Sequence, residues 1–147
     1  MSSSSSTAAG NFAAALEASG HYPLHARSLS TLQVNLGKLC NQVCKHCHVD
    51  AGPQRTGAHE NMSGEGAALV LDVLEKGVFT TLDLTGGAPE LNPNFIRLVK
   101  GAVQLGIKVI DRCNLSVLFE PGQDGLAQVL VEHRVEVVAS LPFYTQS

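Results

Sequence analysis

Short β-rich runs alternate along this chain with segments of helical period, and that alternation leaves few folds open to it. Leu32, Val34 and Leu36 alternate with Gln33 and Asn35 in period two. Ser63 is placed to cap a helix in which Ala67, Val70, Leu71 and Leu74 share one face, with Glu65 in the positive first turn and Gly77 after Lys76 as the stop. Residues 79–84 read as the next strand. Asn92 and Pro93 then read as an N-cap followed by Pro at the first helical position; Phe95, Leu98, Val99 and Ala102 form the apolar stripe, and Gly106 ends it. A third strand is predicted over 108–112, a helix over 125–132 with Leu126, Val129 and Leu130 inward, and a Val-rich fourth strand over 135–140. The order β-α-β-α-β-α-β implies right-handed crossovers and a parallel α/β sheet, either doubly wound or part of a (βα) barrel.

Composition narrows the function classes. With 147 residues and 44% apolar content the chain can bury a core of single-domain size. Its formal charge of -3 and the lack of a Lys/Arg stripe exclude the electrostatic footprint of a nucleic-acid binder. The longest apolar stretch, 135–141, contains Glu136 and is far short of the roughly 20 residues of a membrane span. A soluble, cytoplasmic protein is expected. Residues 1–28 are read as a disordered Ser/Ala-rich tail, with an organellar transit peptide as the alternative; residues 29–147 are read as the folded domain. Because the apolar fourth strand would lie at a sheet edge, the fold is expected to be a barrel cut short.

In parallel α/β sheets the ligand site lies in the loops after the carboxyl ends of the strands, and every unusual residue here falls there. Cys40, Cys44 and Cys47 follow the first strand, Gly86 and Gly87 the second, Arg112 and Asn114 the third, and Ser140 ends the fourth. The spacing Cys40-x3-Cys44-x2-Cys47 lets one short loop wrap three thiolates around a single inorganic core. A [4Fe–4S] cluster needs a ligand on each iron, so three cysteines leave one iron open to a small molecule. The competing reading is structural zinc, with His48 or Cys113 completing the site. Gly86 and Gly87 let the backbone approach a ligand, or else form an ordinary tight turn. Arg112 is read either as a carboxylate partner or as a surface charge, and Ser140 as a packing residue or a donor. His46 and His48 flank Cys47, one of them packing against whatever the cluster holds. Asp50 and Glu90 read as isolated, solvated carboxylates, and Cys113 as a small buried apolar residue.

With these residues in view, the sequence resembles the radical S-adenosylmethionine superfamily, whose signature is Cys-x3-Cys-x2-Cys after the first strand. The run 35–53, from Asn35-Leu36-Gly37-Lys38-Leu39-Cys40 to Cys47-His48-Val49-Asp50-Ala51-Gly52-Pro53, resembles its arsenosugar-biosynthesis subfamily. So do Thr85-Gly86-Gly87-Ala88-Pro89-Glu90-Leu91-Asn92-Pro93, Asp111-Arg112-Cys113-Asn114-Leu115 and Ala139-Ser140-Leu141-Pro142. The resemblance implies a partial parallel (βα) barrel, with four βα units of a core of about six strands. It implies a [4Fe–4S] cluster on Cys40, Cys44 and Cys47, with S-adenosyl-L-methionine chelating the open iron. Reduction by a donor such as flavodoxin or ferredoxin would release methionine and a 5′-deoxyadenosyl radical, which abstracts hydrogen from a small-molecule substrate that contains arsenic or is related to such metabolites. Gly86 and Gly87 match the element whose backbone meets the methionine amino group. Ala88 stands where many members carry Glu. His46 fills the slot beside the last cysteine near the adenine, Ser140 matches a ribose or carboxylate contact, and Arg112 and Asn114 belong to the same pocket. The later strands and a cysteine-rich C-terminal domain are absent from these residues, and Phe143 stands where many relatives have Cys. A non-catalytic protein that binds the cluster and S-adenosylmethionine, or a zinc-stabilised interaction module, is the alternative.

Overall fold

The computed structural model describes residues 11–140. In chain order its elements are α1 (Phe12–Ala18), β1 (Thr31–Asn35), α2 (Gly64–Lys76), β2 (Thr81–Thr85), α3 (Phe95–Gln104), β3 (Lys108–Asp111), α4 (Leu126–Glu132) and β4 (Glu136–Val137). The strands form one sheet in the order β1-β2-β3-β4, and each neighbouring pair is parallel. Buried residues of α2, α3 and α4 join one cluster with those of the strands, the arrangement that right-handed crossovers between sequential parallel strands produce. A doubly wound sheet would need a reversal of strand order, and the four described strands have none.

Each helix forms for a reason visible in its residues. The Ser63 hydroxyl accepts from the Gly66 amide at 3.1 Å and caps α2, which buries Ala67 and Leu74 and ends at Gly77. The apolar stripe of α3, Phe95, Leu98, Val99 and Ala102, is wholly buried against Leu82 and Leu84 of β2 and Val109 of β3. This layer is the core. The regular turns of α3 start later than expected, with Asn94 at the N-cap position but making no side-chain cap bond, while Asn92 acts two residues earlier. The buried Asn92 amide donates to the carbonyls of Leu36 at 2.9 Å and Met62 at 3.1 Å, tying α3 to the end of β1. Its Oδ1 meanwhile accepts from the Asn94 amide at 2.9 Å, a cap-type local bond, so one side chain serves the helix start and the long-range tie through different atoms.

The ladder continues past the strand ends at the carboxyl rim. Leu36 donates to Thr85 at 2.9 Å and Arg112 to Leu84 at 3.0 Å. β4 is shorter than the predicted run, yet the Val138 amide bonds Asp111, that of Cys113 bonds Val138 and that of Ser140 bonds Cys113, at 2.8 to 3.1 Å. Leu141 and Phe143 lie outside the described residues. Within the stretch read as a tail, α1 buries no residue. No helix among the described residues is long and apolar enough to cross a membrane.

Candidate functional site

The cysteine loop is stitched to its surroundings by backbone bonds before any side chain is considered. Leu39 bridges Gly52, Gly37 bridges Asn61, and the Cys40 amide donates to the Gly52 carbonyl at 3.3 Å. Between the last two cysteines, the Cys47 amide donates to the Cys44 carbonyl at 3.1 Å and closes a tight turn. All four cysteines are free thiols. Cys40, Cys44 and Cys47 line one cavity of about 120 Å³, whose walls include Gly86, Gly87, Asn114 and Ser140. Loops following all four strands therefore contribute to a single site.

Two neighbouring glycines are required where the loops meet. Gly86 has φ +139, and a Cβ there would lie 2.7 Å from the Gly37 carbonyl oxygen. A Cβ on Gly87 would lie 2.4 Å from the Leu39 carbonyl oxygen and 3.0 Å from Cys40 Cβ. The Gly87 amide donates to Gly37 at 2.9 Å and the Ala88 amide to Leu39 at 2.8 Å, so the β2 loop lies directly on the cysteine loop.

The sulfur atoms receive donors. Amides of Gln42 and Ala51 point at Cys40 Sγ (3.4 Å) and Cys47 Sγ (3.3 Å), and Asn114 Nδ2 lies 3.6 Å from Cys40 Sγ. Asn114 is itself fixed by Asn41, Ser116 and the Val117 amide. Burial pushes the Cys40 thiol up, while the Gln42 amide and Asn114 pull against it. Three convergent free thiols with N–H groups aimed at two of the sulfurs suit an anionic thiolate centre, since hydrogen bonds to sulfur are one means by which proteins tune iron–sulfur clusters. The residues present fit the group. Gln42 and Ala51 carried no signal in the sequence beyond their place beside the cysteines.

Other predicted site residues lie elsewhere. His46 is exposed and does not line the cavity. His48 borders a separate, open cavity of about 620 Å³ with Lys38, His59 and Glu60. Ala88 is buried outside the cavity lining. Arg112 makes a bidentate pair with Asp83, Nε to Oδ1 and Nη2 to Oδ2 both at 2.8 Å, and Gln33 joins at 3.0 Å. The pair holds the Asp83 carboxyl below its ordinary range, against the opposing effect of burial. Of the two readings of Arg112, the carboxylate partner stands, and that carboxylate is internal. Neither His48 nor Cys113, the fourth ligands of the zinc reading, borders the three-cysteine cavity. Glu90 corrects the expectation of a solvated carboxylate: it is buried, in a short 3-10 turn at Pro89–Leu91. Asp50 is exposed and pairs with Arg55.

Fold and site together define a parallel α/β protein with a three-thiol centre at the carboxyl rim of its sheet. In sequence, 80 residues are 34% identical to a protein from Saccharolobus solfataricus named probable GTP 3′,8-cyclase, covering 54% of this chain and 25% of that protein. Proteins of the same name from Saccharolobus islandicus and Sulfurisphaera tokodaii are 29% and 30% identical, covering 64% and 63% of this chain and 30% and 28% of theirs. The chain thus spans less than a third of the length of these relatives. No family model matches it. None of these relatives bears the name of an arsenosugar-biosynthesis protein.

Proposed function

We propose that this chain is the cluster-bearing part of a radical S-adenosylmethionine enzyme. The observation that carries this reading is the convergence of Cys40, Cys44 and Cys47 on one cavity walled by Gly86, Gly87, Asn114 and Ser140. A reduced [4Fe–4S] cluster held there would supply the electron for reductive cleavage of S-adenosylmethionine to methionine and a 5′-deoxyadenosyl radical. The chain's own residues hold and shield. The Cys40, Cys44 and Cys47 thiolates would hold the cluster, the Gln42, Ala51 and Asn114 donors would offset their charge, and the glycine pair keeps the β2 loop close without side-chain bulk. Ser140 and Asn114 offer polar contacts on the wall facing the loop. A partial (βα) barrel is the fold this reading implies, and the sequential strand order supports it.

Two substrate classes follow from different observations. The resemblance of residues 35–53, 85–93, 111–115 and 139–142 favours an arsenic-containing or related small metabolite, whereas the names of the relatives favour GTP. Anaerobic reconstitution should give iron and sulfide near four each per chain, with a spectrum that changes on adding S-adenosylmethionine. Cys44→Ala should abolish assembly. Stoichiometric zinc without sulfide would overturn the cluster, and reductive assays for 5′-deoxyadenosine, with GTP or a methylated arsenical present, test turnover and substrate class separately.

A further inference from the structure

Glu90, Asp111 and Cys113 form a second group of ligand-type side chains, distinct from the cysteine loop. One ligand atom from each lies within 4.8 Å of the others, and all three residues are buried, Asp111 and Cys113 at 0% exposure and Glu90 at 5%. Period two explains part of the placement. Asp111 ends β3 and Cys113 follows two residues later, on the same side of the extended chain, while Arg112 between them points to the other face and its Asp83 pair. The 3-10 turn after β2 carries Glu90 to them.

The group is short of positive charge. None of the four carboxylate oxygens of Glu90 and Asp111 has a hydrogen-bond partner among the described residues, and no Lys, Arg or His among them pairs with either acid. Two close buried carboxylates cannot both stay charged unless a cation joins them. A shared proton bridges two oxygens and leaves the others bare. On the sulfur side, the Leu115 amide donates to Cys113 Sγ at 3.2 Å, as it would to a thiolate.

We propose that Glu90, Asp111 and Cys113 bind a divalent transition-metal ion of the zinc type. Calcium and magnesium are disfavoured because they take oxygen ligands, whereas a mixed set of one thiolate and two carboxylates suits zinc or ferrous iron. Either carboxylate can add its second oxygen to the coordination. Binding displaces the protons of the Cys113 thiol and of Asp111, whose carboxyl is pushed up to about 8, first by burial and then by Glu90. The ion would pin the turn three residues after Gly87 to the strand end beside Asn114. It therefore sets two walls of the cysteine cavity without touching it.

Cobalt substitution of the full chain tests this. In a Cys40→Ser, Cys44→Ser, Cys47→Ser variant, shown by circular dichroism to be folded, one Co²⁺ per chain should bind with thiolate-to-cobalt charge-transfer absorption. Adding Cys113→Ala should abolish that band, and Zn²⁺ should displace the cobalt. A folded triple variant with no such band, or a band that survives Cys113→Ala, overturns the site. A second measurement does not depend on the triple variant folding. After reconstitution with iron and sulfide and equilibration with Zn²⁺, the unmodified chain should retain one zinc, and Glu90→Gln should lose it with iron and sulfide unchanged. Equal zinc in both overturns the proposal, whereas failure of the unmodified chain to take up iron and sulfide counts against the cluster reading instead.

Discussion

Gly87→Ala puts the meeting of the β2 loop and the cysteine loop under direct strain. The added Cβ would sit 2.4 Å from the Leu39 carbonyl oxygen and 3.0 Å from Cys40 Cβ, and the nearer atom is backbone, which cannot rotate away. Ordinary contact begins at 3.4 Å, so the two loops must part by up to about 1 Å. That separation stretches the Gly87–Gly37 and Ala88–Leu39 hydrogen bonds, now 2.9 and 2.8 Å long. Overpacking costs about 1–3 kcal/mol and each weakened bond up to about 1 kcal/mol, against about 0.4–1 kcal/mol gained from a stiffer unfolded chain. The net expectation is a loss of about 2 kcal/mol, and at most about 4–5 kcal/mol. Urea unfolding of the metal-free chain measures it, and iron retention after reconstitution should fall as Cys40 is displaced. Gly125→Ala is the control: nothing lies within 4 Å of its added Cβ and its φ is -98°, so it should be neutral or stabilising by up to about 1 kcal/mol. A Gly87→Ala midpoint equal to wild type, or an equal drop for Gly125→Ala, would refute the close-approach argument.

Asn114→Ala removes a donor to Cys40 Sγ and the acceptor of the Val117 amide, so stability should drop by about 1–3 kcal/mol. Losing an N–H···S bond should also make the cluster potential more negative, as read by an EPR-monitored redox titration. The metal-free chain, kept in chelator, should lose stability as pH rises from about 4 to about 8, because folded Asp111 keeps a proton that the unfolded chain releases. Asp111→Asn should flatten that slope in urea midpoints, and an unchanged slope would contradict the burial of the acid. At the acid end the sign reverses for Asp83: its folded carboxyl is depressed by Arg112, so its contribution is present above the unfolded value and is lost as pH falls through the folded one. Phe95→Ala, in the fully buried stripe of α3, should cost about 3–5 kcal/mol by urea unfolding with no specific effect on thiol accessibility in the loop.

Most of the architecture was legible because local signals agreed with the tertiary outcome. Ser63 and Gly77 bracket α2 by capping chemistry that works within a few residues, and the period of Phe95, Leu98, Val99 and Ala102 specifies a buried face whatever it packs on. The failures are residues whose partners are remote in sequence. Asn92 has the identity of an N-cap and its Oδ1 does take the Asn94 amide, but its Nδ2 also bonds a carbonyl 56 positions away, and nothing local announces that. The fourth strand is an edge, where period and composition persist while regular pairing stops at Val137 and only individual hydrogen bonds continue to Ser140.

At the site, the legible part was chemical identity and the hidden part was direction. Three cysteines in one loop announce a metal-type centre without coordinates, and the placement of Gly86, Gly87, Asn114 and Ser140 at strand ends is enough to bring them to its rim. Which way each rim side chain turns depends on neighbours in other strands. Arg112 and Cys113 are adjacent, yet one turns to Asp83, 29 positions earlier, and the other into the buried face with Glu90. Period two ordains that they part but does not say which face holds the acids. That asymmetry explains why Glu90 read as solvated. A carboxylate in a rim loop is normally free to reach water, and only the fold of the turn at Pro89–Leu91 directs it inward to Asp111 and Cys113. The same alternation leaves Arg112 engaged on the opposite face, so it cannot neutralise the buried acids.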